Sequence, residues 1–577
     1  MSQFGKRHVL LSAPLADDID GLRKELGIKG VSIVIVKQEE GDAFDQWKTD
    51  FLNLGVRNGK GNAVDEKTLF SIGSNSKLFT AIAVGLALRE ERSAKASMTP
   101  NWNTRVKDLV SGFRLRDAVA NDQAEIVDLL THQTGLPLHT HSEVHDPAGN
   151  KEESIERLRY LKPSAPFRKR FQYCNSGYLV ASTIPEQLLG LPFTQFVQEK
   201  VFEPLKLQDT TYDPAWAKST GRRADGFIRS KTARHGLDLE RTNIGWFTTS
   251  KITLAGQGGI ISSACDMAVW LKCLLLDGRS PITNDIIVPK SIIKDTMTPR
   301  VVIPEHADSH SEHLSFLSYG LGQIISSYRG CRIFQHFGNV PGQRSLVLRV
   351  PSKRFGLAIM VNDNESGERF TQPVAYMIID HLLALPPLEK KARLQEQCQK
   401  DVTKGNCQTC VKPASASIAL ESIQGLYHDQ GYGSLTVCAV SSTMPEGFKS
   451  LETPSNCRAV LAANPFLLTP ESGPTFIAST DKHWSNFLMF QQIEGSIFEV
   501  TLNAFYPEYH VDSIEIYGKT RATFTHDGMA WYGNIWATWP KVLDNGEMTE
   551  GGAEVWFERV TEGESARIRT TTDTSSL

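Results

Sequence analysis

Ser74 and Lys77 stand three residues apart in FSIGSNSKLFT (70–80), where the apolar run LFTAIAVGLAL begins. One helical turn would bring the hydroxyl and the amine onto the same face, within reach of each other. That is a nucleophile beside a base able to take its proton. A lysine at the mouth of so apolar a helix is costly unless something uses it. The competing explanation is a capped helix start whose lysine snorkels to solvent. Two further motifs follow in order: Tyr173-Cys174-Asn175 within RFQYCNSGYLVAS, and His336-Phe337-Gly338 within CRIFQHFGNVPGQRS. Any one of the three is weak. Three in sequence, each with fitting local structure, are hard to obtain by chance.

The elements that must position these groups can be read from periodicity and turn residues. Residues 15–28 predict a helix, and GVSIVIVK (30–37) a short buried strand. WKTDFLNLGVRNG reads as its hairpin partner. A mainly helical region spans roughly residues 75–275. FLSYGLGQIISSY, CRIFQHFG, RSLVLRV and FGLAIMVND then return as strands, ahead of the helix QPVAYMIIDHLLAL. A sheet assembled from both chain ends around a helical insertion is α/β or α+β, not an alternating βαβ series. PPLEKKARLQEQCQK, opened by proline and rich in charge, reads as a solvated connector. From about residue 416, SLTVCAV, FLLT, TFIAST, NFLMFQQ, IFEVTLNAFY and AEVWFERV are short strands between turns, and WYGNIWATW suits a sheet or small barrel. The expected organisation is a catalytic domain at 1–390, a linker at 391–415, a β-rich domain at 416–560 and a polar, disordered tail at 561–577. No internal repeat is present.

The three motifs make up the signature of serine β-lactamases and penicillin-binding proteins. Over residues 15–390 or so the chain resembles the class C β-lactamase family, which includes DD-peptidases, D-aminopeptidases, esterases and acyltransferases. DLLTHQTGLP (128–137), VFEPLKLQDTTY (201–212) and GQGGIISSACDMAVW (256–270) resemble three more of its recurring segments. The resemblance implies an antiparallel sheet flanked by helices and a serine acyl-enzyme chemistry. Ser74 would be the nucleophile at the positive end of its helix. Lys77, partly desolvated, would take the proton, and Tyr173 is the other candidate base and the acid for the leaving group. The motifs leave the division between them open. Asn175 would hold Lys77 or the acyl side-chain amide. The resemblance further implies an oxyanion hole from the N–H groups of Ser74 and Asn339, with His336 heading the third motif and Gly338 letting the strand pass close to substrate. Relatives carry a hydroxyl residue between those two, where this chain has Phe337. An aromatic face in the pocket would disfavour a β-lactam or D-Ala-D-Ala carboxylate and favour a neutral ester or amide. Pro185, inside GYLVASTIPEQLLG, is expected to kink or reset its helix.

Composition bounds the remaining possibilities. At 577 residues, 40% hydrophobic and 22% charged, the chain is that of a soluble globular protein. A net charge of −3 and the lack of a nucleic-acid signature predict no RNA or DNA partner. No run of about 18 apolar residues predicts a membrane span, and MSQFGKRHVLLSAPLADDID reads as no signal peptide, so a cytoplasmic protein is expected. Nine cysteines form no dense disulfide framework. Cys398, Cys407 and Cys410 could pair locally, or hold zinc if a fourth ligand existed, but free thiols in a linker are the simpler reading. His139, His141 and His145 in HTHSEVH superficially resemble a metal cluster, yet fit an exposed loop at the rim of the site, and no metal or cofactor is expected. His132 is read as structural, and the stripe of Trp531, Trp536 and Trp539 as packing. No Gly-x-Ser-x-Gly elbow and no phosphate loop occur. The expectation is a serine hydrolase cleaving an ester or amide of a small molecule, in the tailoring of a metabolite. An acyltransferase of the same family is the alternative, and a catalytically silent binding or scaffold protein is the rival from another class. Oligomeric state is not legible.

Overall fold

GVSIVIVK forms strand β1 (Gly30–Lys37), buried along almost its whole length. It can be this apolar because strands flank both its edges and helices cover both its faces. One edge pairs with β2 (Lys48–Gly55). The rest of the sheet comes from far along the chain: β3 (Val301–Val302), β4 (Ser318–Tyr319), β5 (Ile324–Tyr328), β6 (Cys331–Val340), β7 (Gln343–Val350) and β8 (Phe355–Val361). The order is β2-β1-β8-β7-β6-β5-β4-β3, antiparallel throughout. FLSYGLGQIISSY, expected as one strand, is the hairpin β4–β5. Gly322 sits at φ +77°, a conformation only glycine adopts without strain, and the chain reverses there. The computed structural model describes residues 10–93, 99–143, 151–229, 241–245, 254–304, 313–386, 418–444, 473–505, 514–532 and 553–561 except 481 and 483, with the isolated positions 388, 458 and 461.

Strand alternation sends successive side chains to opposite faces, and the two faces have different covers. Ile33, Ile35, Leu357 and Ile359 join a cluster with helices α1 (Ala13–Glu25) and Asn364–Leu382, through Ile19, Phe370 and Val374. Val34, Val36, Ala358 and Met360 join a second cluster, through Phe79 and Ile82 of α2 (Ser76–Ser93) and Trp270 of Ala264–Leu275. α2 is buried from Ser76 through Leu88, which explains the apolarity of LFTAIAVGLAL. Within the helical insertion, α3 (Asn175–Ala181) stops and α4 (Ile184–Leu189) starts afresh, with Pro185 in its first turn, where a missing N–H leaves no helical bond unmade. The last helix begins at Asn364, eight residues before the expected start, because Asp363 caps it by accepting from the Ser366 N–H at 2.8 Å.

Eight strands of the C-terminal region close into an antiparallel barrel. They are β9 (Gly425–Asp429), β10 (Gly433–Ala439), β11 (Thr475–Ser479), β12 (Phe487–Glu494), β13 (Ile497–Phe505), β14 (Ile514–Phe524), β15 (Gly528–Tyr532) and β16 (Val555–Arg559). Each pairs with the next, and Tyr427 opposite Arg559 closes the ring. β9 and β14 were not among the strands expected from the sequence. β9 is short and weakly patterned, whereas IEIYGKTRATF of β14 does alternate, and pairing on both sides within the barrel fixes each of them as a strand. Trp531 is buried, its ring 4.8 Å from that of Phe557. A single apolar cluster runs from the insertion (Leu158, Leu161, Tyr178) into the barrel (Tyr427, Leu435, Phe557), so the two parts pack together. FLLT, Trp536, Trp539, Cys398, Cys407, Cys410 and most of the connector lie outside the described residues.

Candidate active site

Ser74 lies on a single 3-10 turn, Gly73–Asn75, that leads into α2. Gly73 has φ +52°, and a Cβ there would begin 2.8 Å from the Asn339 nitrogen, so the turn presses directly against β6. Polar side chains lock it in place. Asn75 Nδ2 donates to Ser345 Oγ at 2.8 Å, and Ser345 Oγ donates to the Ile72 carbonyl at 2.8 Å. Ser76 Oγ donates to the Gly73 carbonyl at 2.7 Å and accepts from the Ile260 N–H at 3.0 Å. Against this rigid backing Ser74 is only half-buried, open to a substrate.

Lys77 is fully buried. Its Nζ lies 3.0 Å from Ser74 Oγ, 2.9 Å from Asn175 Oδ1 and 2.7 Å from the Gln257 carbonyl oxygen. Burial disfavours the ammonium form and pushes the amine down to about 7, while the charge of Glu143 opposes that fall. A neutral amine has two N–H bonds and one lone pair. Asn175 and Gln257 present only acceptors, so they take the two hydrogens and leave the lone pair facing the Ser74 hydroxyl. Tyr173 completes the chain, its O–H donating to Ser74 Oγ at 2.9 Å. Burial holds this phenol far above its ordinary value, so it is protonated at neutral pH. The polarity runs one way: Tyr173 O–H to Ser74 Oγ, Ser74 O–H to Lys77 Nζ.

The third motif departs from expectation at Phe337. His336 is buried and pushed down to about 3 by desolvation, so it is a neutral imidazole rather than a cation. One ring nitrogen is 2.9 Å from the Tyr319 hydroxyl and the other 2.6 Å from the Phe337 carbonyl, which fixes a tautomer with Nδ1–H donating and Nε2 accepting. Phe337 does not present its ring to the pocket. Alternation along β6 turns it to the face opposite His336 and Gly338, where it packs on the cluster under α1 and Asn364–Leu382 with the Arg344 guanidinium 5.7 Å from the ring centre. Gly338 is required by a close backbone contact: a Cβ there would lie 1.9 Å from the Ile72 carbonyl oxygen. Asn339 is exposed at the same edge, its backbone nitrogen beside the Ser74 turn.

Four residues of this assembly were not singled out from the sequence. Gln257 belongs to a recognised segment, GQGGIISSACDM, but its carbonyl has no signature. Tyr319 supports His336. Glu143 sits two residues beyond His141 in a loop noticed only for its histidines. Trp484 arrives from the barrel. The histidines are docking groups: His139 Nδ1 is 2.8 Å from the Tyr432 hydroxyl and His141 Nδ1 3.2 Å from Ser485 Oγ, both partners on the barrel. His145 lies outside the described residues, and among those described no three His, Cys, Asp or Glu side chains are grouped to hold a metal. His132 Nδ1 accepts the Cys174 N–H at 3.0 Å, and its ring centre is 4.4 Å from that of Tyr173, so it braces the second motif from behind. Among the described residues no helix is long and apolar enough to cross a membrane.

A serine held between a buried lysine and a protonated tyrosine, beside an antiparallel sheet, is the arrangement of a serine hydrolase. The Beta-lactamase family model matches residues 15–379, and the chain belongs to that family. It is a serine hydrolase of the β-lactamase type. Among curated relatives, the unguisins hydrolase ungD' of Aspergillus campestris is 25% identical over 425 residues, covering 71% of this chain and 74% of its own. Penicillin-binding protein 4 of Amycolatopsis lactamdurans is 23% identical over 359 residues, 61% of this chain and 85% of its own. The N-acetylmuramyl-L-alanine amidase of Bacillus subtilis is 24% identical over 235 residues, 37% of this chain and 51% of its own. The octameric penicillin-binding protein homologue from Pyrococcus abyssi superposes with a TM-score of 0.53 at 18% identity, covering 90% of this chain and 97% of that one. That likeness shows a shared fold, spanning nearly the whole chain.

Proposed function

We propose that this protein hydrolyses an amide or ester bond of a small molecule through an acyl-enzyme on Ser74, in the tailoring of a metabolite. Ser74 Oγ attacks the carbonyl carbon as its proton passes to Lys77 Nζ. The tetrahedral oxyanion is received by the N–H groups of Ser74 and Asn339. Collapse expels the leaving group, which takes a proton from Tyr173, and the Lys77 ammonium gives its proton to the phenolate, returning both groups to their starting states. Water then repeats the sequence on the ester, releasing the acid. Lys77 is the base in this reading and Tyr173 the acid, because the amine has its lone pair on the serine and the phenol has its hydrogen there. Asn175 positions Lys77, and His336 supports the wall through Tyr319.

The observation that carries the reading is the pair of contacts on one oxygen, Lys77 Nζ at 3.0 Å and Tyr173 OH at 2.9 Å from Ser74 Oγ. Hydrolysis, and an amide as the bond cleaved, are supported by relatives named as unguisins hydrolases and as an amidase. The test is intact-mass analysis after a fluorophosphonate, followed by product analysis on small amides and esters. A single adduct, absent in Ser74→Ala, and release of free acid at every acceptor concentration are expected. Equal labelling of Ser74→Ala would refute the nucleophile.

A further inference from the structure

The barrel has no part in the chemistry above, yet the turn between β11 and β12 carries one of its side chains into the catalytic neighbourhood. Trp484 Nε1 donates to Glu143 Oε2 at 2.6 Å. The same oxygen accepts from Gln257 Nε2 at 3.3 Å, and the carbonyl of Gln257 is the 2.7 Å acceptor for Lys77 Nζ. Three segments some hundred residues or more apart in sequence thus meet in one chain of contacts ending on the amine beside Ser74. The docking around it is specific rather than a loose apolar contact. Tyr432 and Ser485 meet His139 and His141, and Lys162 Nζ donates to the Ala553 carbonyl at 2.7 Å. Leu161 lies so close to Gly431 that a Cβ there would be 2.7 Å from its Cδ2.

We propose that the barrel, through Trp484, holds Glu143 as a positioning residue that acts on Lys77 both through the Gln257 backbone and as its counter-charge. The barrel is then a working part of the active site and not an appended module. A carboxyl enclosed here is unfavourable unless donors and a cation face it. Trp484 and Gln257 supply the donors, and Lys77 the cation. Among the described residues the other titratable groups around the pair are Tyr173, Tyr178, Cys174, His132 and His336. Burial holds the Tyr173 and Tyr178 phenols and the Cys174 thiol protonated and both imidazoles neutral, so among the described residues Glu143 is the anion acting on the lysine. Burial pushes Glu143 up to about 7, and the indole N–H and Lys77 both favour its ionised form. The signs follow. Ionised Glu143 makes Lys77 harder to deprotonate, and loss of the Trp484 donor makes Glu143 easier to neutralise.

This inference rests on Lys77 being the base of Ser74. The test is the pH dependence of Ser74 acylation by a fluorophosphonate, read by intact mass, in the full chain and in Glu143→Gln, Trp484→Phe and Ser485→Ala. Near-UV circular dichroism establishes that each is folded. Glu143→Gln should move the midpoint of the rise to lower pH by about one unit. Trp484→Phe should move it the same way by less, and this variant alone carries the sign if Glu143→Gln does not fold. Ser485→Ala, which loosens a neighbouring barrel contact without touching Glu143, should leave the midpoint in place. A barrel that merely packs would lower the melting temperature of Trp484→Phe and leave its pH profile superimposed on wild type. Superimposed profiles for Glu143→Gln and Trp484→Phe would overturn the inference with the acyl-enzyme intact. Failure of the wild type to label at Ser74 would overturn the acyl-enzyme reading itself, a distinguishable result.

Discussion

Raising the pH from 5 to 9 should titrate Lys77 and, with it, the acylation of Ser74. The amine is pushed from its ordinary 10.5 down to about 7 by desolvation. At pH 7 about half of the molecules then carry the neutral base, against about one in 3,000 at the ordinary value. The gain is roughly 1,500-fold in competent enzyme, and the shift corresponds to about 5 kcal/mol at 1.36 kcal/mol per unit. The assay is the second-order rate constant for fluorophosphonate labelling. It should rise about tenfold per pH unit on the acid side, bend near 7 and stay level above. A flat profile would remove Lys77 as the base, and a rise continuing toward pH 10 would mean an amine that burial does not perturb. The same displacement has a consequence for stability. Between about pH 7 and 10.5 the unfolded chain holds a proton on Lys77 that the folded chain does not, so more protons are bound on unfolding. Stability therefore rises with pH across that window, and below it both states are protonated and the contribution is constant. Lys77→Met should abolish labelling and flatten the difference between urea midpoints measured at pH 7 and pH 9.

Asn175→Ala removes one of the two acceptors that turn the Lys77 lone pair toward Ser74, and labelling should slow about tenfold to a hundredfold with secondary structure unchanged by circular dichroism. Gly338→Ala sets a methyl 1.9 Å from the Ile72 carbonyl oxygen. The turn bearing Ser74 must shift, so labelling should fall by about a hundredfold or more and the urea midpoint should drop. Phe337→Thr withdraws a half-buried ring from the cluster under α1, costing about 1–2 kcal/mol by chemical denaturation. Because that ring faces away from the pocket, the ratio of kcat/KM for a β-lactam and a neutral ester should stay where it is in wild type.

Much of the site is local and was legible as such. Ser74 and Lys77 are one helical turn apart, and a helix of any tertiary context would bring them together. Tyr173 and Asn175 sit two apart at a helix start, and strands such as GVSIVIVK announce themselves by a continuous apolar run. The orientation of Phe337 is equally local: strand alternation requires it to face away from His336 and Gly338. Chain order brought Ser74, Tyr173 and His336 under one family pattern.

What only the tertiary structure decided is how those pieces are braced. The acceptor at the Gln257 carbonyl is a backbone atom, identical in every residue type, and no sequence pattern marks it. Gly338 is explained by the Ile72 carbonyl on a turn more than 260 residues earlier, and His139 and His141 by hydroxyls of the barrel. Glu143, Gln257 and Trp484 meet although each stands in a different part of the chain. The physical reason is common to all of them. Periodicity and capping are set within a turn or two of chain, whereas burial, and therefore the charge state of Lys77, depends on which distant segments exclude water from it.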